Sequence, residues 1–102
     1  MELNRNTSQT IGTTPSVISY EQTPPAIRKV IFVVNTSTGG QKISLGINSD
    51  AVSGQGIVLA PGGYYQESID AGFLPTQYQI SAVSDLAAGT IAIHERIGNN
   101  GI

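Results

Sequence analysis

Arg28-Lys29-Val30-Ile31-Phe32-Val33-Val34-Asn35 is the long apolar run around which this chain is organised. Its β-branched residues suit a pleated, buried surface. Two bases stand before it, and the turn cluster Thr36-Ser37-Thr38-Gly39-Gly40 follows. It therefore reads as one strand with clear ends. Apolar residues occupy both of its faces, whereas a strand in a one-sided sheet would alternate with polar ones. This predicts a central strand covered on both sides. Val30–Val34 is far shorter than the roughly 20 apolar residues that a membrane-spanning helix needs.

Downstream, Lys42-Ile43-Ser44-Leu45-Gly46-Ile47-Asn48 alternates cleanly, with Ile43, Leu45 and Ile47 on one face. That is a half-buried strand, expected as the hairpin partner of the central one. Gly56–Leu59 is a short strand ended by Pro61-Gly62-Gly63, and Tyr64–Ile69 follows it. Alternation puts one of Tyr64 and Tyr65 inward and one outward. Phe73 and Leu74 are expected to plug one end of the core. Gln77–Ser84 and Thr90–Ile97 complete the set, joined by a hairpin loop over Asp85–Gly89. Tyr78, Ile80 and Ala82 share a face in the first of these, and Ile91, Ile93 and Glu95 share one in the second. The core is predicted around Phe32, with Val30 and Val34 beside it and Ile43, Leu45, Ile80, Ile91 and Ile93 facing it. Short strands, frequent turns and no helical periodicity indicate an all-β fold, a two-layer antiparallel β-sandwich or jelly roll.

Upstream, residues 1–27 read differently. They hold Pro15, Pro24 and Pro25, many Ser and Thr, and few large apolar residues. Ser16–Tyr20 suits a short edge strand, and Thr23-Pro24-Pro25 an extended segment. The chain thus divides into an extended N-terminal arm, 1–27, and a sandwich domain, 28–102. The arm is expected to add little to the fold and to carry association, with Leu3, Arg5, Ile11, Val17, Ile18 and Tyr20 as candidate partner-binding residues that peg it to a neighbouring sheet edge.

Composition narrows the function. Charged residues make up 12% of the 102 residues, about half of what a soluble domain usually carries. Small neutral polar residues replace them, and such a surface can be set against another protein without stranding buried charge. The net charge is −2, and the bases Arg5, Arg28, Lys29, Lys42 and Arg96 form no long cluster, so nucleic acid is a poor partner. Arg28 and Lys29 are expected in solvent at the strand entrance. There is no cysteine, which removes disulfides and thiolate metal sites and leaves the redox compartment open. Glu2–Gln9 is polar, without a hydrophobic signal region, which argues against export by the usual route.

No reaction motif is present. His94 stands alone on the face opposite Ile91 and Ile93, and no GxSxG elbow, P-loop, EF-hand or dinucleotide fingerprint occurs. Glu67 and Asp70 are near each other in sequence, but a glycosidase needs a larger cleft than this chain can form. Asn6-Thr7-Ser8 and Asn35-Thr36-Ser37 match the glycosylation sequon by chance. No catalytic residue, metal or cofactor is expected, nor a membrane partner.

The order of an extended polar arm, Val30–Asn35, Ile43–Gly46, Gly56–Gly62 and Gly89–Glu95 resembles small β-sandwich virion proteins of bacteriophages, especially capsid decoration (cement) proteins. Vertex (penton) proteins of tailless phages share the jelly-roll look. The resemblance implies a non-enzymatic structural protein on the capsid surface, made in the host cytoplasm. It would bind the major capsid protein at capsomer junctions as a trimer, or as a pentamer if it is a vertex protein. A reading from another class is a small carbohydrate- or receptor-binding β module using the outward tyrosine of Tyr64-Tyr65.

Overall fold

The computed structural model describes residues 2–99. It contains eight strands: β1 (Leu3–Ile11), β2 (Ser16–Ser19), β3 (Ala26–Asn35), β4 (Ile43–Ile47), β5 (Ile57–Leu59), β6 (Tyr64–Ser68), β7 (Ile80–Ser84) and β8 (Gly89–Asn99). A 3-10 turn over Ile69–Ala71 follows β6. The strands form two four-stranded antiparallel sheets, ordered β1-β8-β3-β6 and β2-β7-β4-β5. The pairs β1·β8, β2·β7, β3·β6 and β4·β5 are those of one long antiparallel hairpin with its tip between β4 and β5. Wrapping that hairpin around itself gives a jelly roll, the second form of the sandwich expected from the sequence.

The pairing of strands differs from the expected hairpins. The turn after β3 carries the chain to the other sheet, where β4 pairs with β5 and β7. The turn after β7 crosses back, and β8 pairs with β1 and β3. Alternation reports which face of a strand is buried, not which strand lies beside it. Both β3 and β4 present apolar residues to one shared interior, so facing each other across the sandwich satisfies the pattern as well as adjacency does.

The buried face of β3 is also the reverse of the expected one. Ile31 and Val33 are fully buried in the inter-sheet core, while Phe32 and Val34 are half-buried on the outer face. Val30 is buried but lies outside the core cluster. The register of β3 against β8 slips between Arg28 and Val30. One extra residue at Lys29 changes the parity, so Arg28 points inward together with Ile31, Val33 and Asn35. A run that is apolar on both faces carries no mark of such a bulge.

Ile31 and Val33 pack with Ile11, Ile18, Ile43, Leu45, Leu59, Ile80, Ala82, Ile91 and Ile93. The outer face of the β4/β7 sheet is covered by the 48–56 loop. There Ser81 Oγ accepts from Ala51 N–H (2.7 Å) and donates to the Ser49 carbonyl (2.8 Å), and Ser44 Oγ accepts from Gly54 N–H (2.9 Å). Gly46 makes room for this loop: a Cβ there would lie 2.7 Å from the Ser49 carbonyl oxygen and 2.9 Å from Ala51 N.

Of the segment expected to be an arm, residues 1–27, the described part from residue 2 onward is not an arm outside the domain. β1 pairs residue by residue with β8 over its whole length, and β2 pairs with β7. Ile11 and Ile18 lie in the core. Thr23–Pro25 forms a turn closed by Ala26 N–H to the Thr23 carbonyl (3.0 Å) rather than an extended segment. Phe73 and Leu74 do not plug the core either. Both are exposed, and Pro75 is buried in their place.

Two inward polar side chains of β3 close the ends of the sandwich. Asn35 Nδ2 donates to the carbonyls of Gln41 and Leu59 (2.8 Å each), and its Oδ1 accepts from Ser37 N–H (2.9 Å). Arg28, expected in solvent, is fully buried at the other end. Lys29 is buried too, its side chain lying over Gly98 with Nζ 3.7 Å from Glu2.

Two consequences can be measured by chemical and thermal denaturation. Ile31→Ala should lose about 2–5 kcal/mol, the range for a buried aliphatic, whereas Phe32→Ala should lose only roughly 1–2 kcal/mol, as fits a half-buried ring. The reverse order would place the bulge elsewhere. Deleting residues 1–20 removes β1, β2, Ile11 and Ile18, and should abolish the cooperative melting transition.

Candidate functional site

The sequence-derived residues fall into three groups. Ile11 and Ile18 are core residues and are out of reach of any partner in the folded chain. Val17 is half-buried beside them. Arg5 is half-buried and works inside the domain: its Nη2 donates to the Ile18 carbonyl (2.8 Å) and lies 3.0 Å from Glu95 Oε1. Leu3 and Tyr20 are exposed. The structure therefore does not bring the six together as one surface.

It builds instead a polar cluster around Arg28. Its Nε donates to Glu95 Oε2 (2.8 Å), its Nη1 to the carbonyls of Thr76 and Tyr78, and its Nη2 to Ser19 Oγ (2.6 Å) and the Tyr20 carbonyl (2.8 Å). Ser19 Oγ donates in turn to Glu95. Gln77 fixes the backbone of the same residue, accepting from Arg28 N–H (2.7 Å) and donating to its carbonyl (2.9 Å). All the guanidinium N–H groups are used and the carboxylate is enclosed, so the cluster has a structural role. The phenol rings of Tyr20 and Tyr78 are both exposed, and Tyr78 does not share the inward face of Ile80 and Ala82.

On the outer face of the β1-β8-β3-β6 sheet, the pairing aligns Asn6, His94, Phe32 and Gln66 in one row across the strands. His94 is half-buried, its Nδ1 2.8 Å from Asn6 Oδ1. Tyr64 is the outward member of the tyrosine pair, and its ring centroid is 5.4 Å from that of Phe32. Tyr65 is the inward one and donates from its hydroxyl to Glu67 Oε1 (2.5 Å), which also accepts from Thr76 N–H (3.1 Å). Burial, then the hydrogen bond to the Glu67 carboxylate, push the Tyr65 phenol well above its ordinary value of 10.0. Glu67 Oε1 thereby holds the 69–79 segment, and no group of three or more His, Cys, Asp or Glu side chains positioned to hold a metal occurs among the described residues. The Asn35 sequon lies at a buried side chain whose amide is already bonded.

The remaining surface of interest is the edge of the sheets, which periodicity alone does not reveal. β1 ends its sheet on one side and β6 on the other. β1 runs for nine residues with an unbroken register. Its one basic side chain, Arg5, is drawn inward, and it has no proline. Native edge strands are usually shortened, bulged, prolinated or charged against pairing with other chains. The edges of the opposite sheet show those guards: β2 has four residues and a register shift, and β5 has three residues. The longest edge of the molecule is thus its least protected one.

No protein-family model matches the chain, and no curated protein matches it. In structure it is similar to a chain of the Bacillus endospore appendages, described as a family of disulfide-linked pili. The TM-score is 0.62 at 18% identity, over 99% of this chain and 88% of that one. At this identity the likeness is one of fold. The capsid-decoration function expected from the resemblance to phage proteins is corrected by it, since the likeness is to a bacterial pilus chain. That resemblance rested on the order of strands and turns, which a jelly roll repeats whatever it attaches to.

Proposed function

We propose that this chain is a non-enzymatic structural subunit that assembles with copies of itself into a fibre. The observation that carries the reading is the unguarded nine-residue edge of β1. Its backbone groups can be satisfied by another strand, and main-chain hydrogen bonds supply affinity without a specialised pocket. The low charge agrees with this, because few charges need to be desolvated when copies meet. The full-length likeness to a pilus chain supports the same class of role. The sequence has no cysteine, so a fibre of this chain would hold together without the disulfides of the appendages it is similar to.

Sedimentation velocity and electron microscopy over a concentration series test the reading. The expected outcome is fibres or large oligomers above a threshold concentration, with the same threshold in the presence and absence of reductant. A monodisperse monomer at every concentration up to the millimolar range would refute it.

A further inference from the structure

The two edges of the β1-β8-β3-β6 sheet are complementary to each other. From the alternation of directions, β6 runs antiparallel to β1. A second copy displaced sideways, without being turned over, therefore brings its β6 beside β1 in antiparallel orientation. Such a contact leaves both outer edges free again, so it repeats and generates an open fibre rather than a closed dimer.

The ladder also specifies a register. The rows Asn6–His94–Phe32–Gln66 and Arg5–Glu95–Ile31–Glu67 each cross all four strands. Continuing these rows by one strand sets Asn6 opposite a second copy's Gln66, and Arg5 opposite a second copy's Glu67. The first row lies on the outer face and the second on the inner face, so each face meets its like.

Charge favours this match. Arg5 and Arg28 both pair with the single carboxylate of Glu95, which leaves one positive charge in excess at the β1 edge. Among the described residues Arg5 Nε is without a hydrogen-bond partner, and the side chain as a whole keeps 38% exposure at the edge. At the opposite edge Glu67 accepts hydrogen bonds from neutral groups and takes part in no ion pair among the described residues. One copy thus carries at one edge a cation that shares its carboxylate with a second arginine, and at the other a carboxylate in no ion pair among the described residues, in the same row.

We infer that β1 of one copy pairs antiparallel with β6 of the next, with Arg5 facing the next copy's Glu67, so that one sheet runs continuously along the fibre. The inference rests on the self-assembly reading above and names the surface that performs it. The right-handed twist of strands turns the sideways displacement into a helical repeat.

Engineered cysteines test it cleanly, since the chain has none of its own. Within one chain Asn6 and Gln66 are three strand spacings apart, about 14 Å, beyond the roughly 7 Å at which two cysteine Cα atoms can be bridged. Both side chains are exposed, so the replacements leave the core untouched. The doubly substituted chain Asn6→Cys, Gln66→Cys should give a ladder of disulfide-linked multimers on oxidation. The off-register pair Ser8→Cys, Ser68→Cys should give none. Glu67→Gln, which keeps an oxygen for the Thr76 N–H, should raise the assembly threshold by roughly two- to fivefold, the scale of a partly exposed ion pair. A fibre that forms without the ladder overturns the β1–β6 contact and leaves self-assembly standing. A ladder with an unchanged threshold for Glu67→Gln overturns the pairing with Arg5. A chain that never assembles overturns self-assembly itself, and this contact with it.

Discussion

The buried guanidinium of Arg28 is the constraint on which the rest of this structure depends. A cation in a protein interior is costly unless its charge is matched and its donors are all used. Here Glu95 matches the charge, while Ser19 and the carbonyls of Tyr20, Thr76 and Tyr78 take up the remaining donors. Those partners come from β2, β8 and the segment leading into β7. Satisfying one side chain therefore requires that strands from both sheets, distant in sequence, arrive together. A misregistered jelly roll would strand this charge, so the cluster selects one arrangement among several that would bury similar apolar area.

Asn35 plays the corresponding part at the other end of β3. It joins the end of β3 to the start of β4 and the end of β5. Between the two, Ile31 and Val33 supply the apolar contact. β3 thus carries a core stripe bounded by a polar clamp at each end, and the two sheets are fixed to each other along its length. This accounts for a small charge-poor chain holding two layers together without a disulfide.

An open sandwich, unlike a closed barrel, keeps free sheet edges. In this molecule they are not equal. The β2 and β5 edges are short or bulged, and a loop lies over the face of the sheet between them. The β1 and β6 edges are left open, with opposite excess charge in one row. For a monomer this combination is an aggregation hazard; for a subunit meant to repeat, it is a directional joint. The same interior cluster links the core to the edge, since Glu95 is shared by Arg28, which the fold needs, and Arg5, which stands at the edge.

The class of fold, the approximate strands from residue 28 onward and the inward faces of β4 and β8 are legible in the order of residues alone. Each is a property of local alternation: Ser44 separates Ile43 from Leu45, and the small Ala92 and the polar His94 separate Ile91, Ile93 and Glu95. The parity of β3, the partners of β4 and β8, and the membership of residues 3–19 in the sheets emerge only when the strands are packed together. The bulge at Lys29 leaves no trace in a run that is apolar on both faces. The choice between an adjacent strand and one across the sandwich is invisible to periodicity. The polar alternation of β1 reads as an arm because its stabilisation comes from backbone pairing with β8, some ninety residues away, and backbone groups are the same for every side chain. The candidate joint was hidden for that reason as well: an edge is defined by the strand that is missing beside it, and only the assembled sheet shows where that is.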